Sequence, residues 1–277
     1  MKKFLSMLLI AVMVLGLVAC GKKPEETPAG SDEPTTDAPG TLDSEYIKTK
    51  GTLVVGITDF APMDYKEEGS DEWIGFDADM AKAFAEYLGV KAEFIEIDWD
   101  NKLLELNNKS IDCVWNGMTL TEEVTTTMAC GKAYCNNAQV VVLKKDVAEK
   151  YADKEACKEL NFAVENGSAG EEAATAEGFN FTAVQTQADA LMEVAAGTSD
   201  ACIIDLLMAG AMIGEGTSYP DLTYTAELTS EEYGCGFRQD GDMAEQYDAF
   251  YKEAFESGKV MEIAEKYGVQ ESIIEAK

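Results

Sequence analysis

The chain contains no histidine and only one arginine, Arg238. The missing histidine excludes Ser–His–Asp and Cys–His nucleophilic catalysis, and it excludes histidine-ligated metal sites. No CxxC pair occurs among the seven cysteines. Cys113, Cys202 and Cys235 lie in apolar runs and read as buried small hydrophobes rather than bridges or metal ligands. Cys130 and Cys135 are close enough in sequence to suspect a bridge, which an oxidising location would permit. Basic residues are scarce overall: 22 Lys and Arg stand against 52 Asp and Glu, a formal net charge of −30. Such a body is repelled by nucleic acid and by anionic lipid. No apolar run reaches the roughly 20 residues that a spanning helix needs.

What is present at the N-terminus is ordered. Lys2 and Lys3 precede an apolar run from Phe4 to Val18, followed by Ala19, Cys20 and Gly21. This is the layout of a secretory signal peptide over residues 1–19. Leu17-Val18-Ala19-Cys20 resembles the bacterial lipobox, which implies cleavage before Cys20 and lipid attached there. An uncleaved anchor and a plain signal peptide are the alternatives. Four of the six prolines fall at positions 24, 28, 34 and 39. With few apolar side chains to bury, residues 20–44 read as an extended, disordered tether.

About 235 residues follow, enough for one large domain or two ordinary ones. TLVVGI (52–57) is an apolar run without alternation, as expected of a strand covered on both faces. WIGFDADMAKAFAEYLG carries Met80, Phe84, Tyr87 and Leu88 on one helical face, with Asp77 as an N-cap and Gly89 as the stop. KAEFIEI, DNKLLELNNK and IDCVW continue as strand, short helix, strand. The pattern restarts at NFAVENG and runs through alternating strands and helices to DACIIDLLMAGAMIG. EEYGCGFR then reads as a strand before two amphipathic terminal helices. Two α/β units imply mostly parallel sheets with right-handed crossovers and a ligand cleft at the carboxyl ends of strands.

Five segments, in order, resemble the extracellular solute-binding proteins of amino-acid ABC importers. GTLVVGITDFAPMDY resembles that family's opening strand and pocket loop. WIGFDADMAKAFAEYLG resembles its "vGFDvDla" helix, and IDWDNKLLELNNKSIDCVWNGMTLTEE its approach to the "gmtiTeeR" turn. TSDACIIDLLMA resembles "vDAvivD", and EEYGCGFR resembles "yGigfrk". The resemblance implies a two-lobed α/β fold of the periplasmic-binding-protein type II. Each lobe would hold a mixed, mostly parallel sheet flanked by helices, with two hinge segments between them. Lobe one would comprise 45–137 plus 232–277, and lobe two 138–231. It also implies a monomer without cofactor, metal or catalysis, which hands a small ligand to a membrane permease from the outer face of the cell membrane.

The resemblance places pocket aromatics at Phe60 and Trp99; core is the alternative for both, and the polar proline loop at a strand's carboxyl end favours the pocket for Phe60. It places ligand contacts at Asn116, Gly117 and Thr119, where Gly117 admits close approach to the backbone. Thr119-Leu120-Thr121-Glu122 also fits a capping box, as does Ser168 to Glu171. Two helix N-termini would then face one cleft and add partial positive charge, with Ser168 and Ala169 on the second. Asp205, at the end of an apolar strand, is the expected partner of a ligand ammonium. Glu165 stands where the family is often neutral or basic.

One departure stands out. The family's carboxylate-clamping arginine in "TeeR" is here Val124, and the whole stretch WNGMTLTEEVTTTM (115–128) holds no basic residue. The pocket therefore reads as short of positive charge. The ligand is expected to be an amino acid whose carboxylate is held by helix N-termini alone, or a cationic amino acid met by Glu165 and the aromatics, or a related amine. From other classes come an extracellular lyase or hydrolase using Glu165 and Asp205 as acid and base, and a ligand sensor without transport.

Overall fold

The first element of the computed structural model is helix α1 (Asp43–Lys50), which begins inside the segment read as tether. Two anchors hold it. Arg238 Nε donates to Asp43 at 2.7 Å, and the Ser44 N–H donates to Asp242 at 2.9 Å. The structure describes residues 42–276. The expected signal peptide, the lipid-bearing Cys20 and most of the tether lie outside the described residues.

The first α/β unit follows the expected order. Strand β1 (Thr52–Ile57) is succeeded by α2 (Phe76–Leu88), β2 (Lys91–Glu96), a 3-10 turn at Trp99–Asn101, α3 (Lys102–Asn107) and β3 (Cys113–Thr119). Short α4 (Glu122–Thr127), β4 (Ala129–Cys130) and β5 (Cys135–Asn137) complete it. The chain then crosses into β6 (Gln139–Lys144), β7 (Asn161–Glu165), α5 (Ala169–Glu177), β8 (Asn180–Val184), α6 (Gln187–Ala196), β9 (Ala201–Asp205), α7 (Leu206–Met212) and β10 (Leu222–Glu227). It returns through β11 (Glu231–Phe237) to the terminal helices α8 (Met243–Glu256) and α9 (Lys259–Tyr267).

Two sheets result. One has the order β2-β1-β3-β11-β4, with β5 also paired to β11; the other has the order β10-β6-β9-β7-β8. Within each sheet the strands linked by a helical crossover pair in parallel: β1 with β2 and β3, and β7 with β8 and β9. The strands that begin or end a crossing between sheets, β5, β6 and β11, pair antiparallel, as do β4 and β10. The sheets are thus mixed, and their antiparallel share is larger than a pure strand–helix alternation suggests. This is the two-lobed architecture of type II periplasmic binding proteins.

Four details differ from expectation. Asp77 does not cap α2. It sits in the first turn, fully buried, and its Oδ2 accepts from the Gly117 N–H at 2.6 Å and from the Tyr134 hydroxyl at 2.7 Å. Tyr87 is 43% exposed rather than on the buried face, because it lies one position off the Met80–Phe84–Leu88 stripe that packs inward. Strand β3 continues through Thr119, so Asn116 and Gly117 are strand residues and not turn residues. The cap of α4 is Thr121, whose Oγ1 accepts from the Val124 N–H at 3.3 Å; Thr119 Oγ1 instead donates to Glu231 at 2.9 Å.

The six described cysteines are free thiols, including Cys130 and Cys135. Among the described residues no helix is long and apolar enough to cross a membrane. Arg238 is structural. Its guanidinium pairs with Asp43 and with Asp112 (3.3 Å), and it donates to the carbonyls of Leu106 (3.2 Å) and Ile111 (2.8 Å). It ties α1, α3 and β3 to the strand that returns from the second sheet.

Candidate functional site

Four strand ends converge. Phe60 follows β1, Asn116, Gly117 and Thr119 end β3, Glu165 ends β7 and Asp205 ends β9. Together with Trp99, Ser168 and Ala169 they line one cavity between the two sheets. All nine residues singled out from the sequence are in its wall. The geometry follows from parallel strands: their carboxyl ends open toward the same edge, and the loops there are free to carry polar groups.

On the side of the first sheet, Asn116 is committed to the frame. Its Oδ1 accepts from the Thr58 N–H (3.0 Å) and hydroxyl (2.8 Å), and its Nδ2 donates to Thr58 O (3.0 Å) and Asp64 Oδ2 (2.8 Å). It therefore fixes the loop after β1 against β3. Gly117 has φ 54°, a left-handed conformation, and a Cβ there would lie 2.4 Å from the Phe60 ring. Phe60 in turn packs edge-on against Tyr233, ring centroids 6.3 Å apart. Beneath them Asp77 and Asp64 are fully buried. Burial raises both carboxyls; it holds Asp77 at about 7 and lifts Asp64 well above the usual range, helped by the charge of Asp77.

On the side of the second sheet, α5 begins as the sequence suggested. Ser168 Oγ accepts from the Glu171 N–H at 3.2 Å, and the Glu171 carboxylate accepts from the Gly167 N–H at 2.6 Å. The first turns of α4 and α5 both face the cavity. Asp205 is 3% exposed and well supplied with donors. Its Oδ1 accepts from Gln139 Nε2 (3.0 Å), Tyr233 OH (2.6 Å) and Asn137, and its Oδ2 accepts from Gln187. Burial, and then the charge of Glu231, raise it to about 7 in spite of these donors. Glu165 is as deeply buried, at 2% exposure, yet its Oε1 has no hydrogen-bond partner. Burial, followed by the charge of Asp205, pushes its carboxyl up to about 8. An unpartnered buried acceptor is costly unless a ligand satisfies it.

Eight further residues complete the wall: Lys102, Met118, Thr121, Glu123, Val124, Gly167, Glu172 and Gln187, of which Val124 was marked in the sequence for its missing arginine. Lys102 corrects the expectation of a wall without a cation. It starts α3 one helical turn after Trp99, and its ammonium lies 5.0 Å from the centre of that indole ring. Its spacing of three from Trp99 was the available signal. The acids nevertheless prevail, with Glu123, Glu165, Glu172 and Asp205 facing one lysine. Val124 does reach the cavity wall; it is nearly buried and packs in an apolar cluster with Trp99, Met118 and Met128.

A cavity at converging strand ends of two crossing-linked α/β sheets is the arrangement of proteins that bind solutes. The model of the bacterial extracellular solute-binding proteins, family 3, matches residues 53–270. The chain belongs to this family. Its solute-binding relatives include the arginine-binding extracellular protein ArtP of Bacillus subtilis (strain 168). That protein is 26% identical over 279 residues, covering 96% of this chain and 98% of the relative. Among solved structures, the arginine-bound form of truncated ArgBP from T. maritima superposes with a TM-score of 0.70 at 30% identity, covering 76% of this chain and 99% of that one. The ancestral amino-acid-binding protein AncCDT-1, a precursor of cyclohexadienyl dehydratase, gives a TM-score of 0.73 at 28% identity, covering 81% of this chain and 98% of that one. The wall just described holds four acidic side chains and one lysine.

Proposed function

We propose that the protein captures a cationic amino acid of the arginine or lysine type and delivers it to an ABC permease. The observation that carries this reading is the acidic wall, and within it Glu165, a buried carboxyl with an oxygen that no protein group satisfies. A guanidinium or ammonium supplies the missing donor and the opposite charge together. The Phe60 and Trp99 rings add apolar and cation–π contact worth roughly 0.5–2 kcal/mol each. Asp205, with Gln187 and Tyr233 holding its carboxylate in place, is the second anionic contact, suited to an α-ammonium. The arginine-binding and arginine-bound relatives support the same ligand class.

In this reading Asn116, Gly117 and Thr119 contribute from lobe one (45–137 plus 232–277), and Glu165, Ser168, Ala169 and Asp205 from lobe two (138–231). Ligand contacts to both lobes bias a hinge toward closure. Cys20 carries lipid and the segment between it and α1 serves as a tether, so that a monomeric body works at the outer face of the cell membrane. The test is a thermal-shift screen of the twenty amino acids and their decarboxylated amines. Arginine, lysine or ornithine should raise the melting temperature most. A shift confined to acidic or apolar amino acids refutes the ligand class.

One observation favours a second reading. With its carboxyl at about 8, Glu165 is protonated at neutral pH and could donate that proton to a leaving group. A bound ligand recovered chemically unchanged after prolonged incubation excludes this; conversion of it establishes an eliminating or hydrolysing enzyme.

A further inference from the structure

Lys102 is the one basic side chain in the cavity wall among the described residues. Its ammonium donates to Gly167 O at 2.9 Å and to Trp99 O at 3.3 Å. Both partners are neutral carbonyls. They orient the charge without cancelling it, and no carboxylate among the described residues lies within 4.0 Å to form an ion pair with it. An ammonium has three N–H donors, so one remains beyond these two bonds. Burial lowers its pKa, while the charges of Glu123, Glu165, Asp100 and Glu172 work in the opposite direction and favour the cation.

The rest of the wall makes this charge consequential. The first turn of α4 offers Val124, which is apolar. Arg238 is held by Asp43 and Asp112 outside the cavity. Among the charged side chains of the wall, Lys102 alone attracts a ligand carboxylate, while Glu123, Glu165, Glu172 and Asp205 repel it to the extent that they are ionised. The bond to Gly167 also joins α3 of the first unit to the loop that starts α5 in the second. Gly167 is packed so close to Asp100 that a Cβ would lie 2.8 Å from its Cα. The ammonium is thus fixed where the two units meet.

We infer that Lys102 is the residue that reads the ligand's carboxylate, so that the positive charge for this task comes from the start of α3 and not from α4. Lys102 then selects amino acids over the amines that share their side chains. This assignment rests on the amino-acid reading above.

The test compares L-arginine with agmatine, which is arginine without its carboxylate, by calorimetric titration of the wild-type protein, Lys102→Met and Lys102→Arg. The wild type should prefer L-arginine by about tenfold or more, the value of one charge-assisted contact. Lys102→Met should lose about that factor for L-arginine and leave agmatine within about twofold, and Lys102→Arg should recover most of the loss. Equal weakening of both ligands would overturn the inference and leave Lys102 as a bond between the two units only. No change in either would also overturn it. If the wild type prefers a different amino acid, the cationic class fails but Lys102 is still tested, with that amino acid and its decarboxylated amine. If the wild type binds amines and no amino acid, both fail. Lys102→Gln, with unchanged melting behaviour, guards against loss of fold in the methionine variant.

Discussion

Replacing Glu165 by Gln examines the most exposed claim about the site. This carboxyl is held at about 8, first by burial and then by the charge of Asp205. A cationic ligand needs the ionised form. At pH 6 only about one Glu165 in a hundred would be ionised and at pH 8 about half, so this group alone should raise apparent affinity about fifty-fold across that interval, with Asp205 adding a smaller rise. Binding should release close to one proton at pH 6–7, because contact with the cation returns the carboxyl toward its ordinary range. Calorimetry with L-arginine in two buffers of different ionisation enthalpy measures both quantities. In Glu165→Gln the affinity at pH 8 should fall by about tenfold or more, since an amide cannot pair with a cation. Its pH slope should shrink to the part supplied by Asp205, which titrates near 7. A wild type with flat pH dependence and no proton release would refute the reasoning. So would a variant that keeps the full slope.

Other predictions concern the frame around the site. Gly117→Ala places a methyl 2.4 Å from the Phe60 ring on a backbone with φ 54°; it should cost about 2–4 kcal/mol in denaturant unfolding and weaken ligand binding as Phe60 is displaced. Arg238→Met removes the ion pair of Asp43 and leaves Asp112 with Lys50 (2.6 Å) and the Val54 N–H (2.8 Å) only; it should cost about 3–5 kcal/mol, with the affinity of the remaining folded protein unchanged. Glu165, Asp205, Asp77 and Asp64 all have folded pKa values above their unfolded ones. Between about pH 4 and pH 8 the unfolded chain therefore binds fewer protons than the folded one, so these groups make stability fall as pH rises. The ligand-free melting temperature should be higher at pH 5 than at pH 8, and a rise with pH would contradict the assignment. Val124→Arg should increase the preference for L-arginine over agmatine in the same titrations, because it adds a second cation to a wall now served by Lys102; an unchanged ratio would show that position 124 does not face the carboxylate.

The strand ends were legible because each carries a local signature. TLVVGI, IDCVW, NFAV and ACII are apolar runs that stop at a polar residue or a glycine, and the structure brings those stopping points together. The Ser168 cap could be read from its spacing to Glu171. Less legible were features set by partners distant in sequence. Asp77 looks like a cap from its neighbours alone, but the Gly117 N–H and the Tyr134 hydroxyl, both far along the chain, take its carboxylate inward. Helix α1 is weakly amphipathic and is held by Arg238 and Asp242 from the other end of the sequence, so nothing local announced it. Asn116 read as a ligand contact and stands in the wall, yet Thr58 and Asp64 use its side chain. Lys102 is the opposite case: its spacing of three from Trp99 is local, but only the folded chain puts the start of α3 against the cavity.

The most direct measurement is a calorimetric titration of the wild-type protein with L-arginine at pH 8, followed by chemical recovery of the ligand. The account predicts saturable binding at one site per chain, with arginine returned intact. No binding of any cationic amino acid, or recovery of an altered product, would contradict it.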